Sequence, residues 1–215
     1  MKAFTREDFA MQSTTATRRR VSRGAKPWLW STFLYLLASA PLAHADDPAV
    51  EQRAQACDGC HGPHGQSSNP TLPSLSGQTS QYIYEQLRDF EAGRRQSATM
   101  TPIAKTLSSD DMQKLADYFG PQPPMSSSAA IDSAKVAQGR SIADNSLCAM
   151  CHEAGLAGQN EIPRIAGQQY AYIVKALESF RDGRRTNDGG AMQAIVHGLS
   201  DQDLEALAQY VANLN

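Results

Sequence analysis

Apolar and polar positions along the chain mark out helices, and the marking is written twice. Ile83, Leu87 and Phe90 stand at i, i+4 and i+7, one face of a helix, and Ile173, Leu177 and Phe180 repeat the spacing. They predict helices over 79–92 and 169–182, stopped by Gly93 and Gly183. A second stripe, Met112, Leu115 and Phe119, is matched by Leu204, Leu207 and Val211. It predicts helices opening at Ser108 and Ser200, where Asp111 and Asp203, three residues on, complete a capping box. A first helix is expected near 49–58 and again near 133–149. No segment shows strand alternation, so the expected fold class is all-α, with three helices in each half.

The repetition extends beyond the stripes. Cys57-Asp58-Gly59-Cys60-His61 recurs 91 residues later as Cys148-Ala149-Met150-Cys151-His152. Pro73, Gly77, Gln78, Tyr82, Arg94 and Arg95 recur 90 residues on as Pro163, Gly167, Gln168, Tyr172, Arg184 and Arg185. From Met100 and Met192 onward the offset is 92. So small a drift marks a duplicated domain with small loop changes. Between the copies, 120–128 is rich in Pro and Ser and reads as an extended strap. Each copy is small and its loops are long, so the core needs something at its centre.

One apolar run falls outside this pattern. Residues 28–40 carry no charge, follow a basic cluster (Arg18, Arg19, Arg20, Arg23, Lys26) and precede Ala43-His44-Ala45. Basic region, short apolar core and small-residue site together make a secretory signal, cleaved after Ala45. The run is 13 residues long, short of the roughly twenty that span a bilayer. The formal net charge of −2 conceals this segment: 1–45 has a net of +5 and 46–215 a net of −7. An acidic body argues against nucleic-acid binding, which needs Lys and Arg at phosphates.

All four cysteines lie in the two repeated motifs, leaving none for a disulfide framework. C-x-x-C-H is the attachment sequence for c-type haem: two thiols join the macrocycle and the adjacent His binds the iron. Zinc ribbons space their cysteine pairs by roughly 15–20 residues, whereas 87 residues separate Cys60 from Cys148. A thioredoxin-type motif would need a βαβ context, which is absent. Two covalent haems are therefore expected, on Cys57, Cys60 and His61 and on Cys148, Cys151 and His152. Met100 and Met192, in matching loops 39 and 40 residues after the histidines, are the expected sixth ligands. Met112 is expected in the core, and His64 and His197 at the surface. The carbonyls of Pro73 and Pro163 are expected to accept from the second ring nitrogen of each His. Arg94-Arg95 and Arg184-Arg185 are read either as partners of haem carboxylates or as solvated helix ends.

These motifs, with the stretches 82–95 and 172–185, resemble the di-haem cytochrome c4 family, two class I cytochrome c domains in tandem. The resemblance places domain one at 46–120, the linker at 121–131 and domain two at 132–215. Gly139 resembles the small residue against which the aromatic of the last helix, here Tyr210, packs; domain one has Pro48-Ala49 instead. The resemblance implies a periplasmic electron carrier, not an enzyme, associated with the membrane face and passing electrons to a terminal oxidase or other redox protein, with no small-molecule substrate. Two other classes stand beside it: a di-haem oxidoreductase acting on peroxide or thiosulfate, and a haem subunit of a dehydrogenase.

Overall fold

The computed structural model describes residues 48–214, which fall within one compact unit. The expected signal segment 1–45 and its cleavage site lie outside the described residues. The first half comprises α1 (Pro48–His61), α2 (Ser80–Glu91), α3 (Met100–Ala104) and α4 (Ser109–Phe119). The second comprises α5 (Ser133–Asn145), α6 (Ala149–His152), α7 (Tyr170–Arg181), α8 (Ala191–Val196) and α9 (Asp201–Ala212). Among the described residues no strand is present, apart from one isolated bridge between Gln159 and Ile162.

The stripes bury as their spacing requires. Ile83, Leu115, Ala116 and Phe119 close around Ala54 of α1, and Ile173, Ala208 and Val211 form the corresponding cluster in the second half, with Phe180, Val196 and Leu204 in a further one. Both capping boxes form, Ser108 with Asp111 and Ser200 with Asp203, each side chain satisfying the other residue's backbone N–H.

The two first helices differ. α1 runs unbroken through its cysteine motif, whereas α5 stops at Asn145 and the chain turns at Leu147, with φ of 55°, before α6 begins. α5 instead presses directly on α9. A Cβ on Gly139 would lie 2.0 Å from the Ala206 carbonyl oxygen and 2.8 Å from Tyr210 Cβ, so only glycine permits this crossing. In the first half the helix begins at Pro48 and is tied instead by Arg53 to Asp111 at 3.1 Å.

Two segments expected as loops are short helices: Met100 opens α3 and Met192 lies in α8. Ser97 Oγ accepts from the Met100 amide at 3.1 Å, and the Asp188 carboxylate accepts from the Met192 amide at 2.6 Å. Each helix start is thus capped by a side chain three or four residues earlier, although Gly, Ser and Thr dominate both stretches.

Candidate functional site

Cys57, Cys60 and His61 occupy the last turn of α1, where an i, i+3 spacing sets both sulfurs on one side of the helix. The His61 ring is buried, and its Nδ1 donates to the Pro73 carbonyl at 2.8 Å. In the second half His152 Nδ1 donates to the Pro163 carbonyl at 2.9 Å. A carbonyl can only accept, so Nδ1 holds the proton and Nε2 keeps its lone pair. Burial pulls the pKa of both rings below the ordinary histidine value, against the raising effect of the proline bonds. Each ring is therefore neutral and oriented, the form that binds a metal. Burial also pushes the Cys57 thiol up to about 11 and raises Cys148.

The proline loops are pinned alike. The Gly65 carbonyl accepts from Leu75 and Ser76 at 2.7 and 3.2 Å, and the Leu156 carbonyl from Ile165 and Ala166 at 3.0 and 3.2 Å. Gly77 and Gly167, with φ of 64° and 75°, then donate to Phe119 and Val211 at the ends of the last helices.

The other singled-out residues divide clearly. Met112 is fully buried, as its stripe requires, and Met150 is 74% exposed. Met100 and Met192 are half-buried, and Met192 packs on the Phe180, Val196 and Leu204 cluster. His64 and His197 are exposed, with His64 Nδ1 3.0 Å from the Tyr118 hydroxyl. Met125 of the linker is 1% exposed and accepts a bond from Gln168 at its sulfur, so this part of the strap belongs to the core.

The arginine pairs split. Arg94 and Arg184 are exposed and pair with Asp89 at 2.7 Å and Asp182 at 2.9 Å, as solvated helix ends do. Arg95 and Arg185 turn inward instead. Each stacks on a phenylalanine of its own half, Phe90 at 4.6 Å and Phe180 at 4.3 Å, and donates to a tyrosine of the other. Arg95 reaches Tyr172 Oη at 3.0 Å, and Arg185 reaches Tyr82 Oη at 2.9 Å. Burial would raise the Tyr172 phenol, but Arg95 and Arg185 bring it down to about 8.

Two glutamines make a second reciprocal pair of bonds between the halves. Gln168 accepts from the Ser74 amide at 2.8 Å and donates to the Ser74 carbonyl at 2.9 Å. Gln78 accepts from the Arg164 amide at 2.7 Å and donates to the Arg164 carbonyl at 2.8 Å. Ser74 and Arg164 are equivalent in the repeat, as are Gln78 and Gln168, so the halves meet across a pseudo-two-fold axis. Sequence reasoning registered these glutamines as repeat markers and missed this role. Their matched offset beside the prolines was the available signal.

Two atoms beside the cysteine and proline motifs break the symmetry there. Asp58 Oδ1, between the first pair of cysteines, and Arg164 Nε, one residue past Pro163, are buried without a hydrogen-bond partner. Their counterparts are Ala149 and Ser74. A donor set of two thiols and one neutral, oriented imidazole in each half fits covalent haem, and the orphaned Arg164 N–H suits a carboxylate such as haem carries.

Comparison with known proteins agrees. The family model described as "Cytochrome c" matches residues 136–215, and that described as "Cytochrome C oxidase, cbb3-type, subunit III" matches 46–119. Cytochrome c4 of Pseudomonas aeruginosa is 36% identical over 198 residues, covering 86% of this chain and 97% of its own. A thiosulfate dehydrogenase electron acceptor of Thiomonas intermedia is 33% identical, covering 82% of this chain and 85% of its own. The crystal structure of reduced recombinant cytochrome c4 from Pseudomonas stutzeri superposes with a TM-score of 0.72 at 33% identity, over 78% of this chain and 98% of that one.

Proposed function

This chain belongs to the cytochrome c4 family of di-haem electron-transfer proteins, and from that premise we propose that it works in the periplasm, taking electrons from a respiratory donor and passing them to a membrane-bound terminal oxidase. Each haem iron, when bound, supplies a one-electron couple. The chain's own residues would hold it: Cys57, Cys60, Cys148 and Cys151 by thioether bonds, and His61 and His152 by Nε2, with the proton kept on Nδ1 by Pro73 and Pro163. Met100 and Met192 would supply the remaining ligands. A thioether ligand would favour ferrous iron and raise the potential.

The observation that carries this reading is the matched setting of the two histidines. The same His–Pro bond, 2.8 Å in one half and 2.9 Å in the other, stands on both sides of a reciprocal interface. Two similar centres held at fixed separation suit the passage of electrons without a steep loss between them. Among the described residues no helix is long and apolar enough to cross a membrane. Export would rest on cleavage after Ala45, and contact with the membrane would be peripheral, through the oxidase. The net charge of −7 over 46–215 favours a partner with a basic surface.

Reduced protein mixed with membranes containing a haem–copper oxidase should be oxidised faster than in buffer, and more slowly as salt rises. Oxidation no faster than in buffer at every ionic strength removes the oxidase assignment. A second reading of the donor is favoured by the Thiomonas relative: electrons enter from a thiosulfate-oxidising enzyme. Thiosulfate together with that enzyme, but not thiosulfate alone, should then reduce both haems. Turnover of thiosulfate or peroxide by this protein alone would instead favour an oxidoreductase.

A further inference from the structure

The carbonyl that receives His61 and the amide that donates to Gln168 belong to one peptide group. Pro73 supplies its C=O and Ser74 its N–H, with His61 Nδ1 at 2.8 Å on one edge and Gln168 Oε1 at 2.8 Å on the other. The peptide between Pro163 and Arg164 is used in the same way: His152 donates to its oxygen at 2.9 Å, and Gln78 accepts from its nitrogen at 2.7 Å. Each glutamine comes from the half opposite the histidine. The structure therefore contains two continuous chains of bonds, imidazole to peptide to amide, each crossing from one half to the other.

Both glutamines are enclosed, Gln168 at 4% exposure and Gln78 at 5%. Neither oxygen serves the peptide alone. Gln168 Oε1 also accepts from the Gln169 amide and Gln78 Oε1 from the Thr79 amide, each at 2.9 Å, which fixes the amide orientation. Gln168 is further held by the Met125 sulfur at 3.1 Å. Hydrogen bonds in series polarise one another, by about 10–30% per bond. A peptide whose N–H is engaged is a stronger acceptor at its oxygen. A stronger acceptor draws the Nδ1 proton, makes the imidazole a more electron-rich ligand and stabilises ferric iron.

We propose that Gln168 and Gln78 are positioning residues acting across the interface: each, through a single peptide group, strengthens the hydrogen bond of the proximal histidine in the opposite half and so lowers the reduction potential of that half's haem. Docking of the halves then does more than hold two haems together. It sets the potential of each, and separating the halves would release both. The inference rests on the electron-carrier reading only in taking both irons to be ligated by His61 and His152. Its test reads potentials and spectra, so failure of the oxidase assignment leaves it intact.

The experiment is a redox titration of the holoprotein, with each haem resolved. In Gln168→Met, close in shape but at most a weak acceptor for Ser74, the haem on His61 should rise in potential while the haem on His152 holds. Gln78→Met should do the reverse. In Gln168→Glu, which restores an acceptor, the His61 haem should return to its original potential or below. In the ferric protein, the hyperfine-shifted His61 Nδ1 proton should move in Gln168→Met and the His152 proton should not. Equal shifts at both haems would mean that the glutamine only clamps the halves, and a shift confined to its own half, or none, would equally overturn the proposal. Should the variants lose a haem, the unaltered protein still decides. The Ser74 and Arg164 amides should exchange hydrogen as slowly as the helix interiors, and exchange at the rate of exposed loops would refute the relay.

Discussion

The guanidinium of Arg185 donates to the Tyr82 hydroxyl at 2.9 Å, joining residues 103 positions apart, and rests on Phe180 at 4.3 Å. Its counterpart Arg95 makes the mirrored bond to Tyr172. Polar contacts at opposite positions thus tie the halves. Tyr82→Phe and Tyr172→Phe should each lower stability by about 1 kcal/mol, and the Arg185–Tyr82 pair should show coupling in a double-mutant cycle. Denaturant unfolding followed at both haems checks this. Additive losses with no coupling would mean that the contact contributes nothing in solution.

Met100→Ala and Met192→Ala should each open one iron, lower the potential of that haem alone and allow the reduced protein to bind carbon monoxide there. Met112→Ala should behave differently. Its side chain is fully buried, so it should lose about 2–5 kcal/mol of stability without carbon monoxide binding. Carbon monoxide binding by Met112→Ala, and none by Met100→Ala, would move the ligand assignment in the first half.

The two potentials should differ, and in a stated order. A carboxylate at Asp58 would stabilise ferric iron in the first half, where the second half has Ala149, and a guanidinium at Arg164 would stabilise ferrous iron in the second half, where the first has Ser74. The haem on His152 should therefore have the higher potential. Asp58→Asn should raise the lower value and Arg164→Gln should reduce the higher one, as spectroelectrochemistry of each variant would reveal. Movement in the opposite directions would contradict this account.

Ser200→Ala should destabilise the second half by about 1 kcal/mol, the usual worth of a helix N-cap. The Ser200 hydroxyl and amide hold Asp203 below the ordinary carboxylate range. A depressed folded value means that the stabilisation is complete above about pH 4 and is lost as pH falls through the folded pKa. Acid titration of thermal stability should be flatter in that window for Asp203→Asn than for the unaltered protein. Equal slopes would mean that the box contributes no pH dependence.

Much of this architecture was legible in the chain itself. The stripe Ile83, Leu87 and Phe90 and the pairing of Ser108 with Asp111 are local patterns, governed by helix period and by the unsatisfied amides of a helix start. The Cys57 to His61 spacing likewise carries its own chemistry. The helices at Met100 and Met192 were not legible, because they are only five and six residues long and begin from side-chain caps amid loop-forming residues. Gln168 was legible as a repeat marker but not as a bond to Ser74, 94 residues away, because a single buried amide leaves no periodicity. Met125 looked like spacer, since nothing in a Pro- and Ser-rich stretch signals that one residue turns into the core.

The reciprocity of the interface has a consequence for what the molecule can become. Two identical subunits meeting about a true two-fold axis would place every substitution on both sides of the contact at once, so a useful change at one haem would be imposed on the other. Joined in one chain, the halves escape that constraint. Gln86 and Asp89 meet Asn187 and Arg185 across the axis, whereas the equivalent positions Ala176 and Ser179 offer no such groups. The tether also raises the local concentration of each half near the other to about the millimolar range, so a polar contact too weak to hold separate subunits stays closed. A covalent dimer of this kind keeps the geometry of symmetry while leaving each haem free to acquire its own surroundings.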